Sequence, residues 1–175
     1  RWRSAARPHL VDSLTYTPVS TAANGTRGIP KVGSPNALSV LNSITEPTGK
    51  KQREILATGR VGGTRIGFSQ AARNFVSAFR DDPPCLDGSS LKSIRASQNG
   101  DLKLSNDEAA NAALSVLLGE TLFSYWLALG DGFHVTGGVL KDFLGCLNYL
   151  DASHFSALAD LGKMMADGEA MKNFG

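Results

Sequence analysis

The sequence predicts an α+β fold, with a small antiparallel basic sheet followed by a C-terminal set of helices. Three observations lead there. From Glu54 to Ala96 short β-type runs are divided by glycine and proline, after Gly100 apolar residues recur at helical spacing, and the charge changes sign between the two parts. All ten arginines lie between Arg1 and Arg95, so residues 1–96 hold 14 Lys and Arg against 6 Asp and Glu, a formal +8. Residues 97–175 hold 4 against 10, a formal −6, which leaves +2 for the chain. A near-neutral total therefore covers a polarised molecule. Either the basic half meets a polyanion, with nucleic acid the obvious one, or the two halves neutralise each other inside one fold.

Residues 1–34 are rich in Ser, Thr, Ala, Gly and Arg and show no sustained period, so they read as an arm with one short strand at Leu14–Thr17. Residues 35–175 read as a single domain. The start, Arg1-Trp2-Arg3, has neither an initiating Met nor the apolar stretch of a signal peptide, as expected of a piece of a longer chain. Ser34-Pro35 is a helix start, with Ser34 as N-cap and Pro35 at the first helical position. Leu38, Leu41 and Ile44 then form an apolar stripe that Pro47 stops.

The sheet part, residues 54–96, opens with Ile55–Val61 and Thr64–Ser69, which flank Gly62-Gly63, a two-residue connection of the kind that closes a hairpin. Further strands are expected over Asn74–Phe79 and Leu91–Ala96, separated by turns at Asp81-Asp82-Pro83-Pro84 and Asp87-Gly88. The helical part, residues 105–168, begins with Ser105-Asn106-Asp107-Glu108, a capping-box pattern with Ser105 as cap. Ala110, Ala113, Leu114, Leu117 and Leu118 form one stripe, and after a break at Gly119, Leu122, Phe123, Trp126 and Leu127 form a second that ends at Gly130-Asp131-Gly132. Two more helices are expected. They cover Val139–Tyr149 and Ser153–Ala166, the latter turning Leu158, Leu161, Met164 and Met165 inward and ending at Gly168.

Several functional classes are set aside by composition and spacing. The longest apolar run, Leu114–Leu129, is broken by Gly119-Glu120-Thr121, so no membrane span is expected. Cys85 and Cys146 have neither metal-motif spacing nor the density of a disulfide scaffold, and read as free thiols of a cytoplasmic protein. Gly59-Arg60-Val61-Gly62-Gly63 lacks the spacing and the Lys-Ser/Thr of a phosphate-cradling loop. His9, His134 and His154 have no ligand partner three or four residues away, so no metal site is expected.

Two patterns carry candidate chemistry. His134-Val135-Thr136 and His154-Phe155-Ser156 are H-x-T/S tripeptides of the sort paired in 2H phosphoesterases, where two imidazoles act as acid and base. Here the second opens an amphipathic helix only 20 residues after the first, whereas that family sets its motifs far apart on strands. The second pattern is basic and amide-bearing. Guanidinium groups grip phosphates and read guanine, and Asn and Gln read adenine, which makes Arg53, Arg60, Arg65, Ser69, Gln70, Arg73, Asn74, Lys92 and Arg95 the candidate DNA contacts. Among the aromatic residues near Trp126, Phe123, Tyr125 and Phe133 are candidates for base stacking, while Phe123 and Trp126 are better placed as core.

Three segments in order resemble the C-terminal part of adenine amino-methyltransferases of restriction-modification systems, of the TaqI-like and type IIG kind. They are Ile29–Pro35 with the helix that follows, Arg65–Phe79 (RIGFSQAARNFVSAF) running into Asp82-Pro83-Pro84, and Ala112–Val135 (AALSVLLGETLFSYWLALGDGFHV). The resemblance implies the target-recognition portion of such an enzyme, with double-stranded DNA as partner and an N-terminal methyltransferase domain in the same parent chain. That domain would hold S-adenosylmethionine. This chain carries no glycine-rich cofactor loop, and Asp82-Pro83-Pro84-Cys85 has Cys where the adenine-gripping tetrapeptide has an aromatic residue. No catalytic or cofactor-binding residue is therefore expected here, and activity would require the parent enzyme. The alternatives are an interaction module whose basic face is incidental, and the phosphoesterase.

Overall fold

The computed structural model describes residues 30–58, 62–71, 75–80, 87–90, 92 and 98–172. Among them the α+β reading holds. Helix α1 (Pro35–Thr45) starts as its sequence dictates: Ser34 Oγ accepts from the Ala37 amide at 3.2 Å, Pro35 occupies the first turn, and the helix ends before Pro47. Leu41 is buried, while Leu38 and Ile44 are half-buried. Pro30 is also buried, and the Lys31 amide donates to Ala128 O at 2.9 Å, so residues 30–34 belong to the body of the fold.

The sheet has three strands, β1 (Thr64–Ser69), β2 (Ala78–Phe79) and β3 (Asn99–Leu104), with β1 central and both neighbours antiparallel. Two expectations are corrected. The described part of the run 55–61 does not pair with β1 across Gly62-Gly63; Leu56 instead bridges Leu104, with Ala57 N donating to Lys103 O and Ser105 N to Ile55 O. The place beside β1 is taken by β3, whose residues fall between the expected sheet part, 54–96, and the expected helical part, 105–168. Its Leu102 and Leu104 are buried and its Asp101 and Lys103 exposed, the alternation of a half-buried strand. The strands expected over Leu14–Thr17 and, Lys92 apart, over Leu91–Ala96 lie outside the described residues.

Glycine–aromatic pairs hold the sheet in register. Gly67 lies opposite Phe79 and Gly100 opposite Phe68. A Cβ on Gly67 would stand 2.1 Å from the Phe79 ring and one on Gly100 2.3 Å from the Phe68 ring. Each ring thus covers the backbone that its partner leaves bare.

Helix α2 (Asp107–Leu117) is capped one residue later than expected. Asn106, not Ser105, is the cap: its Oδ1 accepts from Ala109 N at 2.8 Å, while the Ser105 amide serves the sheet. Helix α3 (Glu120–Leu129) follows a 73° bend at Gly119. Among the described residues no single helix is long and apolar enough to cross a membrane. The expected helix over Val139–Tyr149 is α4 (Gly137–Leu144), capped by Thr136, continuing into a 3-10 turn over Gly145–Tyr149. Its Asn148 is buried and fastens the extended segment before β1, with Oδ1 accepting from Ile55 N at 3.0 Å and its carbonyl from Gln52 N at 2.7 Å.

Helix α5 (Ala152–Lys172) runs through Gly168, past its expected end, and packs along α2. The face it buries is not the expected Leu and Met stripe. Phe155, Ala159 and Gly162 are buried, Leu158 and Met165 are half-buried, and Leu161 and Met164 stand 48% and 71% exposed. The physical reason is size. Ala109, Ala110, Ala112 and Ala113 line the facing helix, and against such a surface a glycine and an alanine allow an approach that Leu or Met would hold off. One hydrophobic core joins the inner face of the sheet to α2, α3, α4 and α5.

Candidate nucleic-acid interface

The residues that follow β1 meet the turn after α3. Ser69 closes the first: its hydroxyl accepts from Ala71 N at 3.3 Å and lies 3.2 Å from Ala71 O. Gln70 has both backbone groups fixed, its amide on Gln98 O at 2.8 Å and its carbonyl accepting from Val135 N at 2.9 Å, and its side chain is exposed. Ala71 forms an antiparallel bridge with His134. Segments more than sixty residues apart in sequence thus meet at a two-sided junction.

The turn itself, Gly130-Asp131-Gly132-Phe133-His134, is held from within. Asp131 Oδ1 accepts from the amides of Phe133 and His134, each at 2.7 Å, and Asp131 Oδ2 lies 3.3 Å from His134 Nδ1. Gly132 has φ +81°, a conformation L side chains rarely adopt. From below, the indole N–H of buried Trp126 donates to His134 O at 2.9 Å, and Val135 is fully buried. The segment before α1 holds the turn as well: Lys31 Nζ donates to Gly130 O at 2.7 Å. Out of this fixed backbone Phe133 stands 76% exposed.

Amide donors, foremost His134 N–H and then Phe133 N–H, hold the Asp131 carboxyl below its ordinary range. A carboxyl depressed in the folded state contributes stability that is complete above its unfolded value of about 3.9 and is lost as pH falls through the folded value. The melting temperature of Asp131→Ala should therefore lie below wild type at pH 7. The gap should close as both are acidified below about pH 4. A gap that persists undiminished at pH 2.5 would show that the charge is irrelevant to the turn.

The candidate DNA contacts divide into those engaged by the fold and those that face out. Arg53 Nη1 donates to Leu150 O at 2.9 Å and its guanidinium lies 3.9 Å over the Phe155 ring, so it joins the segment before β1 to the base of α5. Arg65 pairs through Nε with Asp101 on β3 at 2.6 Å. Arg80, outside the candidate set, reaches Asn111 at 2.9 Å and Asp107 at 3.1 Å. All three described arginines are thus turned onto the acidic half of their own chain. Gln70 and Lys92 have exposed side chains, and Ser69 is part of its turn. Arg60, Arg73, Asn74 and Arg95 lie outside the described residues.

The three stacking candidates are sorted by burial. Phe123 packs 5.7 Å from Trp126, Tyr125 is buried 5.2 Å from Phe143, and Phe133 alone is free to meet a ligand. Phe75, 67% exposed, was missed. Its signal was alternation: with Val76 and Ala78 buried on the approach to β2, residue 75 must face the other way. His134 and His154 each bond the aspartate three residues before them, His154 Nδ1 lying 2.7 Å from Asp151 Oδ2. Among the described residues no group of three or more His, Cys, Asp or Glu is placed to hold a metal.

A second surface lies between α1 and α3. This apolar groove of about 470 Å³ is lined by Val40, Leu41, Ile44, Tyr125 and Leu127, with Val40 and Leu127 exposed. Compared with known proteins, the chain matches no family model, no curated protein and no solved structure.

Proposed function

We propose that this chain is the DNA target-recognition portion of an adenine-specific methyltransferase of a restriction-modification system. The observation that carries the reading is convergence. The three segments that bear the sequence resemblance are separated along the chain, yet all three reach the turn 130–135: Lys31 bonds Gly130, Gln70 bonds Val135, and the turn closes the third segment. In this reading the chain supplies base readout from Gln70, with Arg73 and Asn74 three and four residues further on, and phosphate contacts from Arg60, Lys92 and Arg95. The parent's catalytic domain supplies S-adenosylmethionine and the methyl transfer.

A second reading, a protein-interaction module, is favoured by the apolar groove between α1 and α3. Salt separates the two. A recognition domain should bind duplex DNA with an affinity that falls steeply with ionic strength, the log–log slope being about −0.9 per phosphate neutralised. Anisotropy titrations of a labelled duplex across a salt series give this slope directly. Binding that is flat in salt, or no binding at low salt, would remove the DNA reading and leave the module.

A further inference from the structure

We infer that the outer face of α5 is the seat of a partner protein's amphipathic helix, one with an apolar stripe and Lys or Arg along one edge. The seat is independent of DNA binding. With about 100° of turn per residue, Phe155, Ala159 and Gly162 fall on the arc packed against α2, and Leu158, Leu161, Met164 and Met165 on a neighbouring arc that spans about 120°. An apolar arc of more than about 100° is what a globular helix turns toward a core. Here it is turned outward: Leu161 and Met164 are exposed, and Leu158 and Met165 are half-buried. Gly168 marks the same open side, since a carbon added there meets nothing within 4 Å, whereas one at Gly162 would strike the backbone of α2. The helix thus has two apolar faces, and the described residues cover the first while leaving the centre of the second in the open. A contiguous exposed patch of this kind marks an interaction surface.

The polar edge beside this arc selects what can sit on it. Asp160 and Asp167, one heptad apart, lie exposed along its rim with neither engaged by another described residue, and Lys163 lies further round the back of the helix. Carboxylates at this spacing are complemented by basic side chains on the edge of a helix laid alongside. They repel DNA and an anionic lipid surface. A second copy paired antiparallel about a two-fold axis brings the same edge of each helix together, carboxylate against carboxylate. A parallel pair sets that edge against the apolar flank of the other copy. A helix with a basic edge meets neither conflict. Methionine suits such a seat, because its unbranched, polarisable side chain adapts to the shape laid on it.

The probes are two labelled synthetic amphipathic helices with Leu on one face, one bearing Lys along its edge and the other Glu at the same positions, each titrated with the whole chain. Wild type should hold the Lys helix about tenfold more tightly than the Glu helix. Leu161→Gln together with Met164→Gln should weaken binding of the Lys helix about tenfold. Asp160→Asn together with Asp167→Asn should bring the two probes within about threefold of each other. All four side chains are exposed, so neither pair of changes endangers folding, and circular dichroism checks this. A Lys helix held as tightly after Leu161→Gln and Met164→Gln is held by charge alone, which overturns the seat. Equal binding of both probes by wild type, or binding of neither, overturns it as well. Sedimentation of the chain without probe tests the remaining occupant: self-association that Leu161→Gln and Met164→Gln abolish would assign the face to a second copy instead. None of these outcomes bears on DNA binding, which the salt series tests separately.

Discussion

Gly162→Ala should unfold this protein more readily than wild type by about 3 kcal/mol, the upper end of what overpacking costs, and lower its melting temperature by roughly 6–12 °C. In the middle of an exposed helix the same change is stabilising by about 1 kcal/mol, because alanine restricts the unfolded chain and favours the helix. Tertiary contact reverses the sign. A Cβ on Gly162 would lie 1.8 Å from Asn111 O and 2.6 Å from its carbonyl carbon, and these are backbone atoms of α2 that no side-chain rotation can move aside. The helices must separate, which opens the layer formed by Ala109, Ala110, Ala112 and Ala113. Gly168→Ala is the internal control. It lies in the same helix with nothing within 4 Å of the added carbon, and should stabilise by about 0.5–1 kcal/mol. If the two variants shift the thermal midpoint in the same direction, α2 and α5 do not cross as closely as described.

Trp126→Ala should cost about 3–5 kcal/mol, since it empties a fully buried ring site between α3 and the turn. Two separable losses make up that figure. One is packing, against Phe123 at 5.7 Å and against the backbone of Gly130, where a Cβ would come within 2.7 Å of the indole Cδ1. The other is the N–H bond to His134 O. Trp126→Phe retains much of the packing and removes the donor, and because His134 is exposed its carbonyl can turn to water, so this variant should lose far less, about 1–2 kcal/mol. It should also speed hydrogen exchange at the Phe133 and His134 amides while leaving those of β1 and β3 protected. Equal destabilisation by the two substitutions would mean that the indole N–H bond matters more than the ring.

These two sites show why the chain could be read in part. Period, capping and punctuation are local properties, and local properties are legible: Ser34-Pro35 opens α1, Gly119 divides two helices, and Gly130 closes the second. Where two local signals competed, the tertiary structure chose between them. Ser105 and Asn106 are both good caps, and Asn106 takes the role because the Ser105 amide completes the pairing with Ile55. Asn99-Gly100 suits a turn, but Phe68 across the sheet covers Gly100 and draws the pair into β3. Glycine at 168 looked like a helix end because a C-cap glycine and a mid-helix glycine are the same letter.

The site divides along the same line. That basic residues gather in the first 96 positions is a fact of sequence, but which of them are available to a partner depends on neighbours from the other half, and Arg53, Arg65 and Arg80 are each turned onto that half. Likewise the sequence set Phe123 with the core but left Tyr125 and Phe133 undivided as stacking candidates; burial separated them. By itself, then, the sequence determined the α+β class, most helix starts and the polarity of charge, because each follows from residues near one another in the chain. The partner of each strand, the face that α5 buries and the exposure of Phe133 were decided by the tertiary structure alone, because each depends on side-chain volumes and donors brought together from distant positions.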